Sequence, residues 1–225
     1  MSGNDGANAV QLSSFGISTT GSPCWSPDGK LIVFDSRVEG LSNIYIVDPK
    51  GGVPQKLDID IPDNNAPRWS HDGKWIYFEN GEDSHRPTIW KVSSSGGHAV
   101  QIAGAEAEMP TESGDGRYVY FVRQSHLWRI GTDGSGEQQI AEMPRVRFDA
   151  WTPVGTGIYF ISAESEREIR FFDLNTKSTR VIYVMEKSPP WGWVGGLPVS
   201  SDGKWLLVPQ VDEESSDLMM IEHWQ

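Results

Sequence analysis

Short apolar runs recur along the chain, each a few residues after a polar turn sequence. Aromatic and β-branched residues bounded by turn residues are typical of β-strands. Because consecutive positions within each run are apolar, both faces of these strands are expected to be covered by neighbouring layers of structure. The runs occupy residues 31–34, 75–78, 118–121, 158–161 and 205–208.

The polar sequence before each run is itself a repeat. It reads Ser-Pro-Asp-Gly-Lys at its first occurrence, and Asp-Gly supplies the positive φ that a tight hairpin needs. The copies start at Ser26, Ser70, Ser113, Thr152 and Ser200. These starts are 44, 43, 39 and 48 residues apart, a period typical of the four-stranded blade of a propeller. The fourth copy has Val154 in place of the aspartate, and we predict a looser turn there.

Three further strands are predicted in each of the first four repeats. One precedes the polar turn, one follows a variable loop, and one follows a second turn that is usually rich in glycine. The third strands are expected at residues 43–47, 89–92, 127–130, 169–172 and 218–221, and the outer strands at 53–57, 99–102, 138–140 and 179–182. We therefore predict an all-β fold, a five-bladed β-propeller of four-stranded antiparallel blades, in a single domain over residues 1–225.

The fifth repeat stops after its third strand, and the missing strand is expected at the other end of the chain. Residues 9–12 (Ala9, Val10, Gln11 and Leu12) resemble the outer strand at 99–102. We predict that they complete the last blade and close the ring as a monomer, since an open sheet edge recruits other chains. The alternative is a segment of a longer propeller whose blades pair with a second chain by strand exchange.

The repeat resembles a known family. Residues 26–52 combine Ser-Pro-Asp-Gly-Lys, an apolar strand, Ile-Tyr-x-x-Asp and Gly-Gly. This pattern is similar to the TolB-like propeller repeat, a relative of the WD-type repeats. The resemblance implies a propeller that holds a partner, as in periplasmic TolB, in propellers that gate serine peptidases and in sensor propellers of bacterial regulators. Some related propellers are metal-dependent polysaccharide lyases.

Charge narrows the range of partners. Nineteen basic and 31 acidic residues give a net charge of −12, which repels nucleic acid.

No apolar run approaches the roughly 18 residues that a membrane span needs. The first residues lack the pattern of a secretory signal, which predicts a cytoplasmic protein as the sequence is written. The family resemblance instead implies a periplasmic location if a leader has been removed.

Catalytic and metal-binding patterns are weak. The sequence has no Gly-x-Ser-x-Gly, His-Glu-x-x-His or P-loop motif, and its five histidines share no metal-ligand spacing. We predict a protein without enzymatic activity and without a cofactor. Weak metal candidates are Asp58, Asp60 and Asp63, which supply oxygen ligands within one loop.

A tryptophan-containing segment is the strongest candidate for a binding site. Trp191 and Trp193 lie between prolines and glycines in the longest connection between blades. We predict that connections of this kind emerge on the face opposite the Gly-Gly turns, where acidic residues dominate and Arg145 and Arg147 are among the few cations. Such a face suits a protein or peptide with a basic or amphipathic segment. Alternatively, the two tryptophans only cover the fourth and fifth blades.

The predicted function is therefore a non-enzymatic scaffold that binds a protein or peptide across this face and the central opening. Two alternatives remain open at this point. One is a hydrolase or lyase with its site in the channel. The other is a structural or engineered fragment of a longer propeller, such as the sensor part of a regulator.

Overall fold

A computed structural model describes residues 11–12, 14–15, 19–81, 86–190, 196–200, 203–212 and 215–221, with the backbone alone for 209–212 and 215–221. The chain divides into two compact units, Met1–Pro110 and Thr111–Gln225. No helix among the described residues is both long and apolar enough to cross a membrane.

The first two repeats each form a four-stranded antiparallel sheet whose strands follow chain order. The first sheet contains β1 (Thr20–Trp25), β2 (Ile32–Glu39), β3 (Leu41–Val47) and β4 (Gln55–Lys56). The second contains β5 (Asn64–Trp69), β6 (Trp75–Asn80), β7 (Thr88–Ser93) and β8 (Val100–Ala103).

The third and fourth repeats have the same strand order. The third sheet contains β9 (Glu108–Glu112), β10 (Tyr118–Arg123), β11 (His126–Gly131) and β12 (Gln138–Gln139). The fourth contains β13 (Val146–Val154), β14 (Gly157–Ser162), β15 (Glu168–Asp173) and β16 (Thr179–Val184). In the fifth repeat β17 (Leu206–Asp212) pairs with β18 (Ser215–Ile221).

The predicted four-stranded antiparallel sheets are thus confirmed for four repeats within the described part of the chain. In the fifth, Val199 adds an isolated antiparallel bridge to Leu206, on the side where the other sheets have their first strand. Five complete blades and closure of the ring stay predictions. Gln11 and Leu12 belong to no strand, and Ala9 and Val10 lie outside the described residues.

Both faces of the first sheet are covered, as the consecutive apolar positions predict. Val33 and Ile44 pack with Ile76 and Phe78 of the second sheet in one buried cluster. The opposite face of the first sheet has its own cluster, which Leu12 and Phe15 cover. In the second unit, Ala150, Ile161 and Ile169 pack with Leu206 and Val208 in a separate cluster.

The polar repeat folds into a compact turn held by its serine. The hydroxyl of Ser70 donates a hydrogen bond to Asp72 and accepts one from the N–H of Trp75. Gly73, with a φ of 72°, donates its N–H to the Ser70 carbonyl. The same bonds recur at Ser26 and Ser113, so the predicted Asp-Gly hairpins are confirmed.

The turn of the fourth repeat is tighter than its neighbours, so the predicted looser turn is wrong. β13 and β14 stay paired up to Val154 and Gly157, which leaves only two residues in the turn. Gly157 makes this pairing possible, because a Cβ built there would lie 2.2 Å from the Phe171 ring and 2.5 Å from the Phe172 carbonyl oxygen. The repeat that has Val154 in place of the turn aspartate thus forms a hairpin whose strand pairing continues up to the two-residue turn.

Candidate functional site

The first strands of three repeats share an irregular step, by which we mean a residue in the left-handed backbone conformation directly before a proline. Ser22, Ala66 and Met109 adopt φ angles of 52°, 48° and 55°, and each lies four residues before the turn serine of its repeat. The pairing of β1 and of β5 shifts register at this step. A left-handed conformation costs an ordinary residue about 1–2 kcal/mol, so other contacts must hold these positions.

Two carboxyl groups supply those contacts. Glu79 near the end of β6 accepts a hydrogen bond from the N–H of Met109 at 2.5 Å, through its Oε1 atom. Asp35 occupies the equivalent place in β2 and accepts hydrogen bonds from the N–H of Ala66 and the hydroxyl of Ser22. A carboxyl on the second strand of one repeat therefore fixes the left-handed residue at the start of the next.

Asp35, Arg68, Glu79 and Glu108, which we call the Glu79 cluster, differ sharply from surface carboxylates. Burial raises the pKa of Glu79 to about 7, and the charges of Glu108 and Asp35 add to this rise, whereas the Met109 N–H and Arg68 oppose it. Burial also raises the pKa of Asp35, against hydrogen bonds from Ser22 and Ala66 and the charges of Arg68 and Arg37. The pKa of Glu108 rises for the same reason.

Arg68 joins two of the irregular steps. Its Nη1 atom donates to the carbonyl oxygen of Ser22 at 3.3 Å and to that of Pro67 at 2.9 Å. The Oδ1 atom of Asp35 is buried and has no hydrogen-bond partner among the described residues. The cluster fixes the backbone through these hydrogen bonds. Because Glu79 is only 8% exposed, its carboxyl group favours the protonated form.

The predicted metal candidates contact separate partners. Asp60 binds the His98 Nδ1 atom at 2.5 Å and accepts a bond from the N–H of Ala99. Asp63 accepts from the N–H of Ser42 at 3.0 Å and lies 3.5 Å from Arg37. Among the described residues, no group of three His, Cys, Asp or Glu side chains could hold a metal ion.

Asp58 and Asp60 line a cavity of about 480 Å³ together with Ile59, Ile61 and Lys56. The same connection runs beside the Gly-Gly turn of the second sheet, because Gly97 donates its N–H to the Asp58 carbonyl at 2.8 Å. Further along, the same connection reaches the loops between second and third strands, because the Asp63 carbonyl accepts the N–H of Gly81 and its side chain accepts that of Ser42. The expectation that such connections lie on the face opposite the Gly-Gly turns stays a prediction.

The two predicted arginines lie in contrasting places. Arg145 is exposed. Arg147 is 1% exposed and pairs with Asp149, with Nε to Oδ1 at 2.6 Å and Nη2 to Oδ2 at 3.1 Å. Arg147 is therefore an internal residue and cannot be part of an exposed binding surface, which corrects the prediction for this position.

Arg147 and Asp149 hold both sides of the tryptophan-containing segment. Trp191 and Trp193 themselves lie outside the described residues. On one side, Arg147 donates to the carbonyl oxygens of Pro189 at 2.9 Å and Pro190 at 2.6 Å. On the other side, the N–H of Gly196 donates to the Asp149 carbonyl oxygen at 3.2 Å. The Arg147 side chain thus fixes the chain immediately before residue 191, and the Asp149 backbone fixes it immediately after residue 195.

Comparison with known proteins agrees with the repeat and the sheet topology. Residues 6–194 match the family model of the TolB beta propeller domain. The chain belongs to this family.

One relative found by sequence and two similar solved structures indicate how far the likeness extends. An uncharacterized protein of Agrobacterium fabrum is 28% identical over 152 residues, which cover 63% of this chain and 50% of that protein. The chain thus spans about half the length of this relative. The solved structure of TolB from Acinetobacter baumannii has a TM-score of 0.79 at 18% identity, and the match covers 98% of this chain and 56% of the TolB chain. The solved structure of putative TolB from Agrobacterium tumefaciens has a TM-score of 0.73 at 20% identity, and the match covers 92% of this chain and 78% of that protein's chain. At these identities the solved structures show the fold alone.

Sequence reasoning missed the Glu79 cluster, although a signal was present. Both carboxyl groups follow a phenylalanine in the second strand, as Phe34-Asp35 and Phe78-Glu79. An acidic residue at a matching place in two otherwise apolar strands indicates a buried hydrogen-bonded group, since an unpaired buried charge is costly.

Proposed function

We propose that this TolB-family chain is a binding scaffold without enzymatic activity that holds a protein or peptide with a basic or amphipathic segment. Family membership supports a binding role, and the excess of acidic residues favours a basic partner through charge complementarity. We further propose a single five-bladed domain, closed by residues 9–12, that acts as a monomer. The family resemblance favours a site of action outside the cytoplasm.

The anchoring of the tryptophan-containing segment carries this proposal at the level of residues. Arg147 binds two successive proline carbonyls, and the Asp149 carbonyl receives the N–H of Gly196. A segment whose two ends are fixed loses less conformational entropy on binding, so its side chains contribute more to affinity. Trp191 and Trp193 are the proposed contact residues.

Exposed charges of both signs lie near the anchored ends. Glu186 and Lys187 are exposed just before the prolines, and Arg145 is exposed just before β13. Arg145 is the proposed cationic contact, for an acidic or carbonyl group of the partner. Arg147 acts indirectly, by holding the segment, and its guanidinium does not touch the partner.

The test is a binding titration with two labelled peptides, a lysine-rich amphipathic helix-former and its counterpart with glutamate at the lysine positions. The lysine peptide is expected to bind and the glutamate peptide is not. Replacing both Trp191 and Trp193 by alanine should weaken binding by about 30-fold, corresponding to the hot-spot threshold of about 2 kcal/mol. The melting temperature should hardly change.

The matched control replaces two tryptophans elsewhere, Trp25 and Trp205, which are 46% and 38% exposed. This control should leave binding of the lysine peptide unchanged. A large drop in melting temperature for the Trp191 and Trp193 variant, with full affinity in its folded fraction, would place both side chains in the core and contradict the proposal. Equal binding of the two peptides would contradict the basic partner.

A further inference from the structure

The contact between β6 and the start of β9 differs from an ordinary strand contact because it depends on one side chain. The Oε1 atom of Glu79 accepts the N–H of Met109, the residue held at a φ of 55°. The following residue is proline, which has no N–H to donate. Loss of the Glu79 contact therefore leaves the left-handed step of β9 without this support.

The surroundings of Glu79 decide which charge state the contact prefers. Glu79 pairs with Asn65 of β5 and Ile89 of β7, and the next residue along β6 is Asn80, so its immediate neighbours are not cations. The ionisable groups that face it are Asp35 from β2, Arg68 from β5 and Glu108 from β9. Arg68 is the cation that lowers the pKa of Glu79, and it also acts on Asp35 together with Arg37. A buried carboxylate is costly without a matched cation of its own.

We propose that the Glu79 carboxyl is a proton-operated latch, which holds the start of β9 in its left-handed step more tightly when protonated than when ionised. The neutral acid keeps its carbonyl oxygen as an acceptor for the Met109 N–H and loses no solvation of a charge on burial. Ionisation in the closed state leaves a charge buried, so it shifts the equilibrium toward the open step, in which water reaches the carboxylate.

The coupling between proton binding at Glu79 and opening of the β9 step gives the direction and size of the pH effect. The pKa of Glu79 is about 7 in the closed state, above its ordinary value of 4.5. The closed state therefore keeps its proton over a range in which the open state has lost it. The opening equilibrium of the step should rise by about tenfold per pH unit between these two values and level off above pH 7. The latch is tightest in acid.

The first measurement is hydrogen exchange of the Met109 amide in the full chain, expressed as a protection factor so that the intrinsic pH dependence cancels. Between pH 5 and 7 this protection factor should fall by about 40-fold in the wild type. In Glu79→Gln it should stay flat, because the amide side chain keeps an acceptor and cannot ionise. A flat wild-type profile would overturn the proposal.

Two further variants separate the latch from simple burial. Glu79→Leu removes the acceptor and should lower Met109 protection by at least about tenfold at pH 5, with no remaining pH dependence. Glu108→Gln removes a neighbouring carboxyl and should retain most of the slope. A slope that disappears in Glu108→Gln and persists in Glu79→Gln would assign the proton to Glu108 and overturn the proposal.

Discussion

The two ends of β6 place carboxyl groups in opposite electrostatic environments. Asp72, in the turn before the strand, accepts hydrogen bonds from the Ser70 hydroxyl and the Lys74 N–H, and these bonds lower its pKa to about 2. Glu79, at the far end, is buried, and its pKa rises to about 7. Only six residues thus lie between a carboxylate that is kept ionised and a carboxyl group that is kept protonated.

Donor number and solvent access explain the difference. The turn offers several donors to an aspartate that stays in water, and the same turn lowers the pKa of Asp115 to about 2. The far end offers Glu79 one backbone N–H and a share of one arginine. Hydrogen bonds to the charged form and desolvation shift pKa in opposite directions, and each dominates at one end.

The largest effect is expected at the carboxylate that is buried and fully paired. Arg147→Met leaves Asp149 buried without its cation and should lower the free energy of unfolding by about 3–5 kcal/mol in a denaturant titration. The control Arg145→Met, at an exposed position, should change it by less than about 0.5 kcal/mol. If Arg147→Met is as mild as the control, the ion pair does not hold the fold of this unit.

The next largest effect concerns the pH dependence of stability at Glu79. A folded pKa above the ordinary value means that the stabilisation is complete below pH 4.5 and is lost as the pH rises through about 7. The loss should reach about 3 kcal/mol by pH 8. Denaturant titrations at several pH values should show it in the wild type and not in Glu79→Gln. A wild type whose stability rises between pH 5 and 8 would contradict this assignment.

A smaller effect is expected in the turn backbone. Gly73 has a φ of 72°, and Gly73→Val forces a β-branched residue into that conformation, at a cost of about 1–3 kcal/mol. Among the described residues only Pro27 comes within 4 Å of the new Cβ, at 3.7 Å, so the cost is conformational and not a clash. Gly104→Val, at a glycine without a positive φ, is the control. Equal melting temperatures for the two variants would show that the turn tolerates other conformations.

The smallest effect is expected for the exposed aspartate of the same turn. Asp72→Asn keeps a turn-forming side chain and should change stability at pH 7 by less than about 1 kcal/mol. Because the folded pKa of Asp72 is lowered, its contribution is present above pH 3.8 and is lost as the pH falls through about 2. Acid titrations of the two proteins should therefore converge at the lowest pH, and a difference that grows in acid would contradict the assignment.

Much of the fold could be predicted because its signals are local. The turn serine, aspartate and glycine bond to one another within five residues, and the apolar runs are strands whatever their neighbours. The Glu79 cluster was missed because its donors come from the next repeat, 30 residues away at Met109. Arg147 was misplaced because charge alone favours the surface. Its partner Asp149, two residues away on the same side of β13, is the available signal for burial.

The contrast between the two ends of β6 is tested most directly by measuring the side-chain carboxyl 13C shifts of the full chain from pH 2 to 8. The account predicts that Asp72 and Asp115 titrate near pH 2 and Glu79 near pH 7, all in one folded protein. A Glu79 carboxyl that titrates at or below its ordinary value of 4.5 would contradict the account, because it would mean that the β9 step holds an anion.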